Sequence, residues 1–262
     1  PIVCLYLLQC LLVPKYASDI KEGAMIKEYY NSEKNHDVLI LGDCEVYENI
    51  STVTMWENYG ISSYIRGSAE QLIWQSYYLL EDTLKYEKPQ VVIVNVLAMT
   101  ESDAKNEAYN RMTLDGMKLS KYKIASIRES MTEEENMASY IFPLLRYHSR
   151  WSELSSEDFR YMWKTPSVTT NGYLMQKGVR PVTTIPKAAP LANYTFSDRN
   201  MEYLDKIDSL CKDNGINLVL MKAPSVYPHW YDEWDKQVSD YAYEHGILYL
   251  NTINEAGNIG ID

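Results

Sequence analysis

Cysteine is scarce in this chain and falls in no recognisable pattern: Cys4, Cys10, Cys44 and Cys211 form no C-x-x-C step and no Cys/His cluster at metal-ligand spacing. A disulfide scaffold is thereby excluded, a zinc site is not expected, and no metal or other cofactor is implied. Phenylalanine is nearly missing, with 3 residues against 23 tyrosines and 6 tryptophans. Basic residues are outnumbered, 25 Lys and Arg against 36 Asp and Glu, for a net charge of −11. Such a surface repels a phosphate backbone, so nucleic acid is not an expected partner. Glycine (11) and proline (10) are too few for a low-complexity or collagen-like chain.

What remains is a globular composition, 46% hydrophobic and 23% charged over 262 residues, enough for one large domain or a domain carrying an insertion. The tyrosine bias has a chemical meaning, because a ring with a hydroxyl suits wet, amphipathic surfaces. It fits a hydroxyl-rich partner such as a glycan.

Both ends look cut. Residues 1–14, PIVCLYLLQCLLVP, are apolar except for Gln9 and the two prolines, and no initiator Met precedes them. Fourteen residues fall short of the roughly 20 that cross a bilayer. They are expected to be the end of a transmembrane or signal-anchor helix that starts upstream, with residues 15–36 as a polar stalk. The far end, NTINEAGNIGID, stops just past a strand-like run.

Between the ends, short apolar runs alternate with amphipathic stretches. DVLILG from Asp37 predicts a buried strand, ISSYIRG a second, and QVVIVNV a third. AEQLIWQSYYLLEDTLKYEK predicts a helix ended by Pro89, with Leu72, Ser76, Leu79, Leu80 and Leu84 near helical spacing. Residues 100–195 break the rhythm. TEEENMASYIFPLLRYHSRWSEL and SSEDFRYMWK predict helices, followed by loop or hairpin, and the near-balanced charge of this region marks it as an inserted cap. The alternation then resumes: a helix over DRNMEYLDKIDSLCKDN capped by Ser197 or Asp198 and closed by Gly215, a strand INLVLMKAP, a helix YDEWDKQVSDYAYEHG and a strand ILYLN. The fold class is α/β, a three-layer α/β/α flavodoxin-like sheet of about five parallel strands, its core formed by 37–99 and 196–262.

Sites in such sheets form at the carboxyl ends of the strands. There the sequence places Gly42-Asp43-Cys44 after strand one, Gly67 after strand two and Asn95 after strand three. This series resembles the SGNH/GDSL hydrolase superfamily, and residues 37–99 look like anchored, extracytoplasmic SGNH-like proteins, some of which accompany membrane-bound O-acyltransferases acting on cell-surface polymers. The resemblance implies that Cys44 stands at the nucleophile position, normally a serine. It implies that the backbone N–H groups of Cys44 and Gly67, with the Asn95 carboxamide, hold the oxyanion. The family's Asp-x-x-His would lie beyond Asp262.

Each of these residues has a plainer role open to it. Cys44 can be a small buried hydrophobe, Gly67 a tight turn, and Asn95 a polar strand residue bonded to a neighbouring loop. The flanking Asp43 and Glu45 would raise the thiol pKa by like-charge repulsion. His229 is the reserve base and Asp43 a reserve site residue, whereas His36 and His245 are expected to be structural. Arg146 and Arg150, with His148 between them, could form one cationic helix face for an anionic or sugar-bearing polymer, and Trp230 with Tyr231 and Trp234 could stack on sugar faces. Lys222 and Ser225 resemble the Lys-x-x-Ser-x-Tyr segment of alginate O-acetylation proteins, although Lys222 could simply pair with a surplus carboxylate.

Two functions follow as expectations. One is a membrane-anchored esterase or O-acyltransferase on the extracytoplasmic face, acting on acylated cell-surface carbohydrate through Cys44. The other is a catalytically inactive relative that binds glycan or serves a membrane-bound O-acyltransferase. A redox role for Cys44 is the weaker third, since no resolving cysteine is near in sequence.

Overall fold

The computed structural model describes residues 2–178, 187–225 and 229–255. Its centre is a sheet of five strands, β1 (Val38–Gly42), β2 (Ser63–Gly67), β3 (Val91–Asn95), β4 (Asn217–Lys222) and β5 (Leu248–Asn251). They pair in the order β2-β1-β3-β4-β5, every pairing parallel. This is the flavodoxin-like order, and its topological switch point lies between β1 and β3. β1 and β2 are buried along their whole length, as strands covered on both faces must be. Side chains alternate between two cores: Leu39, Leu41, Val92, Val94 and Leu220 face one, and Val38, Ile40, Ile65 and Met221 the other.

The helices that flank the sheet follow the chain in order. Before β1 come α1 (Ile2–Leu12) and α2 (Ala24–Glu28); between β1 and β2 lie α3 (Cys44–Asn49) and α4 (Thr52–Tyr59); α5 (Ile73–Thr83) leads to β3. Between β3 and β4 run α6 (Glu107–Leu114), α7 (Lys121–Ser130), α8 (Met137–Ile141), α9 (Leu144–Tyr147), α10 (Ser156–Arg160) and α11 (Asp198–Asn214), and α12 (Asp232–His245) joins β4 to β5. α11 begins and ends where its capping residues dictate. Ser197 accepts from the Asn200 N–H, and Gly215 closes the helix in the left-handed region at φ 64°.

Three departures from the sequence expectation have local causes. The long helix expected over 132–154 is broken: Pro143 begins a separate short helix, and the chain tightens into a 3-10 turn over His148–Glu153. Residues 24–31, expected in a stalk, pack into the body. Ile26 and Tyr29 are fully buried, Tyr29 Oη donates to Glu87 at 2.7 Å, and Arg66 Nη2 reaches Tyr30 Oη at 3.1 Å. The inserted region, expected to lie outside a core formed by 37–99 and 196–262, contributes to that core: Leu114, Met117, Ile127 and Tyr140 share it with α5 and α11. Its later loop runs beside β2, where Ile65 N–H donates to Asn171 O at 3.0 Å, so an otherwise open sheet edge is covered. Among the described residues no helix is long and apolar enough to cross a membrane.

Candidate functional site

At the switch point two glycines allow an unusually close approach of chain segments. A Cβ on Gly42 would sit 2.7 Å from Asn95 Cβ and 3.1 Å from Val46 Cγ1. One on Gly67, the register partner of Gly42, would sit 3.0 Å from Gly42 O. A side chain at Gly67 would crowd this backbone, and the next amide, Ser68 N–H, closes onto Gly42 O at 3.3 Å. With both side chains absent, Asp43 can turn inward against Asn95.

Asp43 caps α3, its carboxylate accepting from the Glu45 N–H at 3.2 Å. The cap directs Glu45 back under the strand ends, where it is buried. Asn95 then bridges the two acids, Nδ2 donating to Asp43 Oδ1 at 2.9 Å and to Glu45 Oε2 at 3.0 Å. Its Oδ1 accepts from the Ala223 N–H at 3.1 Å. Lys222, fully buried at the end of β4, donates to both oxygens of Glu45 at 2.8 Å and to Ala223 O at 2.8 Å. Asp43 and Glu45 after β1, Asn95 at the end of β3 and Lys222 at the end of β4 thus form one closed polar cluster in which each side chain has its partners.

The electrostatics follow from two acids and one cation out of water. Burial, reinforced by the charge of Glu45, pushes the Asp43 carboxyl up to about 7, against the pull of the Asn95 amide, the Glu45 N–H and Lys222. Cys44 opens α3 beside this cluster and is half-buried. Its thiol is pushed up to about 12, first by burial and then by Asp43, Glu48, Glu45 and Glu70. At neutral pH it is a thiol, which is the weak form of the nucleophile.

Asp43 and Cys44 follow β1, Gly67 ends β2 beside Gly42, and Asn95 ends β3 bonded to Asp43, so these residues stand at the same edge of the sheet. The structure does not leave Asn95 as an oxyanion donor, because both of its N–H bonds go to carboxylates. The plainer possibility, a strand-end Asn tying down a neighbouring loop, describes what it does. Lys222 likewise pairs with a carboxylate, and that carboxylate is Glu45. Glu45 was legible from the sequence only as a charge flanking the thiol. The available signal was an acid one position into a helix capped by Asp43, where helix geometry turns it toward the sheet.

The expected binding face does not form. The break after Tyr147 separates Arg146 from Arg150. Arg146 pairs with Glu22 and Glu107, both at 3.2 Å. Arg150 makes a fork onto Asp158, with both bonds at 2.9 Å, and also donates to Leu12 O. His148 is exposed, its Nδ1 2.9 Å from Leu145 O. Trp230 is buried, with Nε1 donating to Asp235 at 3.2 Å, and offers no open ring face for a sugar. His229 is exposed, its ring packed edge-on against Tyr231 at 4.6 Å between centroids. His36 and His245 are structural: His36 bonds Glu87 in the interior, and His245 stacks on Tyr241 and meets Asp208 at 2.8 Å. Among the described residues no three His, Cys, Asp or Glu side chains converge as metal ligands would.

Neither a scan against known protein-family models nor a search of curated proteins finds a match for this chain.

Proposed function

We propose that this chain is an SGNH-like domain whose thiol corner has lost ester chemistry, and that it serves as a carbohydrate-binding or assembly partner of a membrane-bound O-acyltransferase on the extracytoplasmic face. The observation that carries this reading is the Asn95 carboxamide, held by Asp43, Glu45 and the Ala223 N–H, so that none of its donors points to a reacting carbonyl. The raised thiol of Cys44 supports it from the nucleophile's side. A cluster of two acids and a lysine closed upon itself acts as a lock that fixes the strand ends, a structural use of positions that carry catalysis in the family this chain resembles. The abundance of tyrosine and the net charge of −11 favour a hydroxyl-rich, uncharged or cationic partner over a polyanion.

The test is acyl trapping on the full-length protein. Incubation with p-nitrophenyl acetate at neutral pH, followed by peptide mass spectrometry, should show no more acetyl at Cys44 than chemical background. Binding of acylated cell-surface polysaccharide, followed by calorimetry, should survive Cys44→Ala. Stoichiometric acetylation of Cys44 that turns over would restore the esterase reading. Failure to bind any carbohydrate or acyltransferase would remove the accessory one.

A further inference from the structure

α1 is apolar apart from Gln9, and most of the side chains of its first turns are exposed. Ile2, Val3, Leu5, Tyr6, Leu7 and Leu8 are exposed, while Leu12 at its other end is buried. A partner covering one face would leave the remaining apolar surface in water, so such a helix calls for an apolar medium around it. At about 1.5 Å per residue it reaches roughly 16 Å, about half of a hydrocarbon core.

The inserted region builds the foot of this helix. α9, α10 and the turn at His148–Glu153 lie against α1. Arg150 donates to Leu12 O at 2.9 Å and Lys15 to Cys10 O at 2.7 Å, so cations satisfy the carbonyls that the helix end leaves open. Three large rings of this foot are mostly exposed: Trp151 at 71% exposure, Phe159 at 61% and Trp163 at 64%. The Trp163 ring centroid is 6.4 Å from that of Tyr6 on α1, which makes the foot and the helix one continuous surface. Arg160 and Lys164 follow two of these rings directly and are exposed with them. Tryptophan and tyrosine at the exit of an apolar helix, interleaved with cations, match the composition of a bilayer interface. Glu153 and Glu157 are exposed on the same stretch, so the rings rather than net charge would drive association.

We propose that Trp151, Phe159 and Trp163, with Tyr6, seat in the headgroup boundary of a lipid bilayer, so that the inserted region is a foot holding the domain against the membrane that α1 enters. This goes beyond the reading of the Cys44 corner and stands or falls separately from it.

The experiment uses the full chain and phosphatidylcholine vesicles with and without brominated acyl chains. Tryptophan emission should be quenched by the brominated lipid, and Trp151→Tyr/Trp163→Tyr should lose at least half of that quenching while the protein stays bound through α1. Replacing all three foot rings by serine should weaken partitioning roughly tenfold or more, with little dependence on salt. These side chains are exposed, and unchanged circular dichroism would establish that the variants fold. Quenching unaffected by the double substitution, partitioning unaffected by the triple one, or burial of the face in a dimer with no vesicle binding would overturn the proposal.

Discussion

Asp43 provides the sharpest energetic test of the cluster. Its carboxyl is pushed up to about 7 in the folded protein, whereas an unfolded aspartate titrates near 3.9. Between these values the folded chain holds a proton that the unfolded chain has released. The stabilisation is therefore complete below about pH 4 and is lost as pH rises through about 7. At about 1.4 kcal/mol per pH unit, roughly 2–3 kcal/mol should disappear between about pH 5 and about pH 8. Asp43→Asn keeps a good helix cap and an oxygen to accept from Glu45 N–H and Asn95, but it cannot ionise. Denaturant midpoints measured on both proteins across this range isolate the contribution of Asp43, because the other titrating groups cancel in the difference. The variant should gain on the parent by roughly 2–3 kcal/mol toward alkaline pH. A flat difference curve, or one in which the parent gains instead, would refute the reasoning, since it would mean that Asp43 is already ionised in the folded state at acid pH.

Other consequences follow from the same contacts. Lys222→Met leaves Glu45 buried without its cation and should cost about 3–5 kcal/mol in urea unfolding, most of it recovered in Lys222→Met/Glu45→Gln. Gly42→Ala drives a methyl to 2.7 Å from Asn95 Cβ, so it should destabilise by about 1–3 kcal/mol and shift the Asn95 side-chain amide resonances in NMR. Gly172→Ala should do at least as much harm in the same unfolding assay, because φ is +82° and the added carbon would meet Ile65 O at 2.0 Å.

The sheet was legible because its strands are short apolar runs between clear punctuation. Pro89 precedes β3, Gly215 precedes β4, and Gly246 ends α12 just before β5. α3 and α4 escaped detection because six and eight residues carry too little apolar periodicity, although the caps Asp43 and Ser51 and the closing Gly60 were all present. Residues 24–31 were missed for a related reason: Met25, Ile26 and Tyr29 form the packed stripe, but they stand among polar neighbours whose partners, such as Thr169 for Glu28, are distant in sequence. At the candidate site, the ends of the predicted strands placed Asp43, Cys44, Gly67 and Asn95 at the carboxyl edge of the sheet, where the structure has them. What they could not convey was hydrogen-bond occupancy. Whether Asn95 faces a ligand or two carboxylates depends on where α3 turns Glu45 and where β4 delivers Lys222, and both are matters of three-dimensional placement.

The claim that Cys44 is held as a thiol is tested most directly by its alkylation rate as a function of pH, with iodoacetamide as reagent and mass spectrometry resolving Cys44 from the other three cysteines. With the thiol pushed up to about 12, the rate at Cys44 should be slow at neutral pH and keep climbing through the alkaline range without levelling. A rate that has already reached its plateau near neutral pH would reveal a stable thiolate and contradict the account.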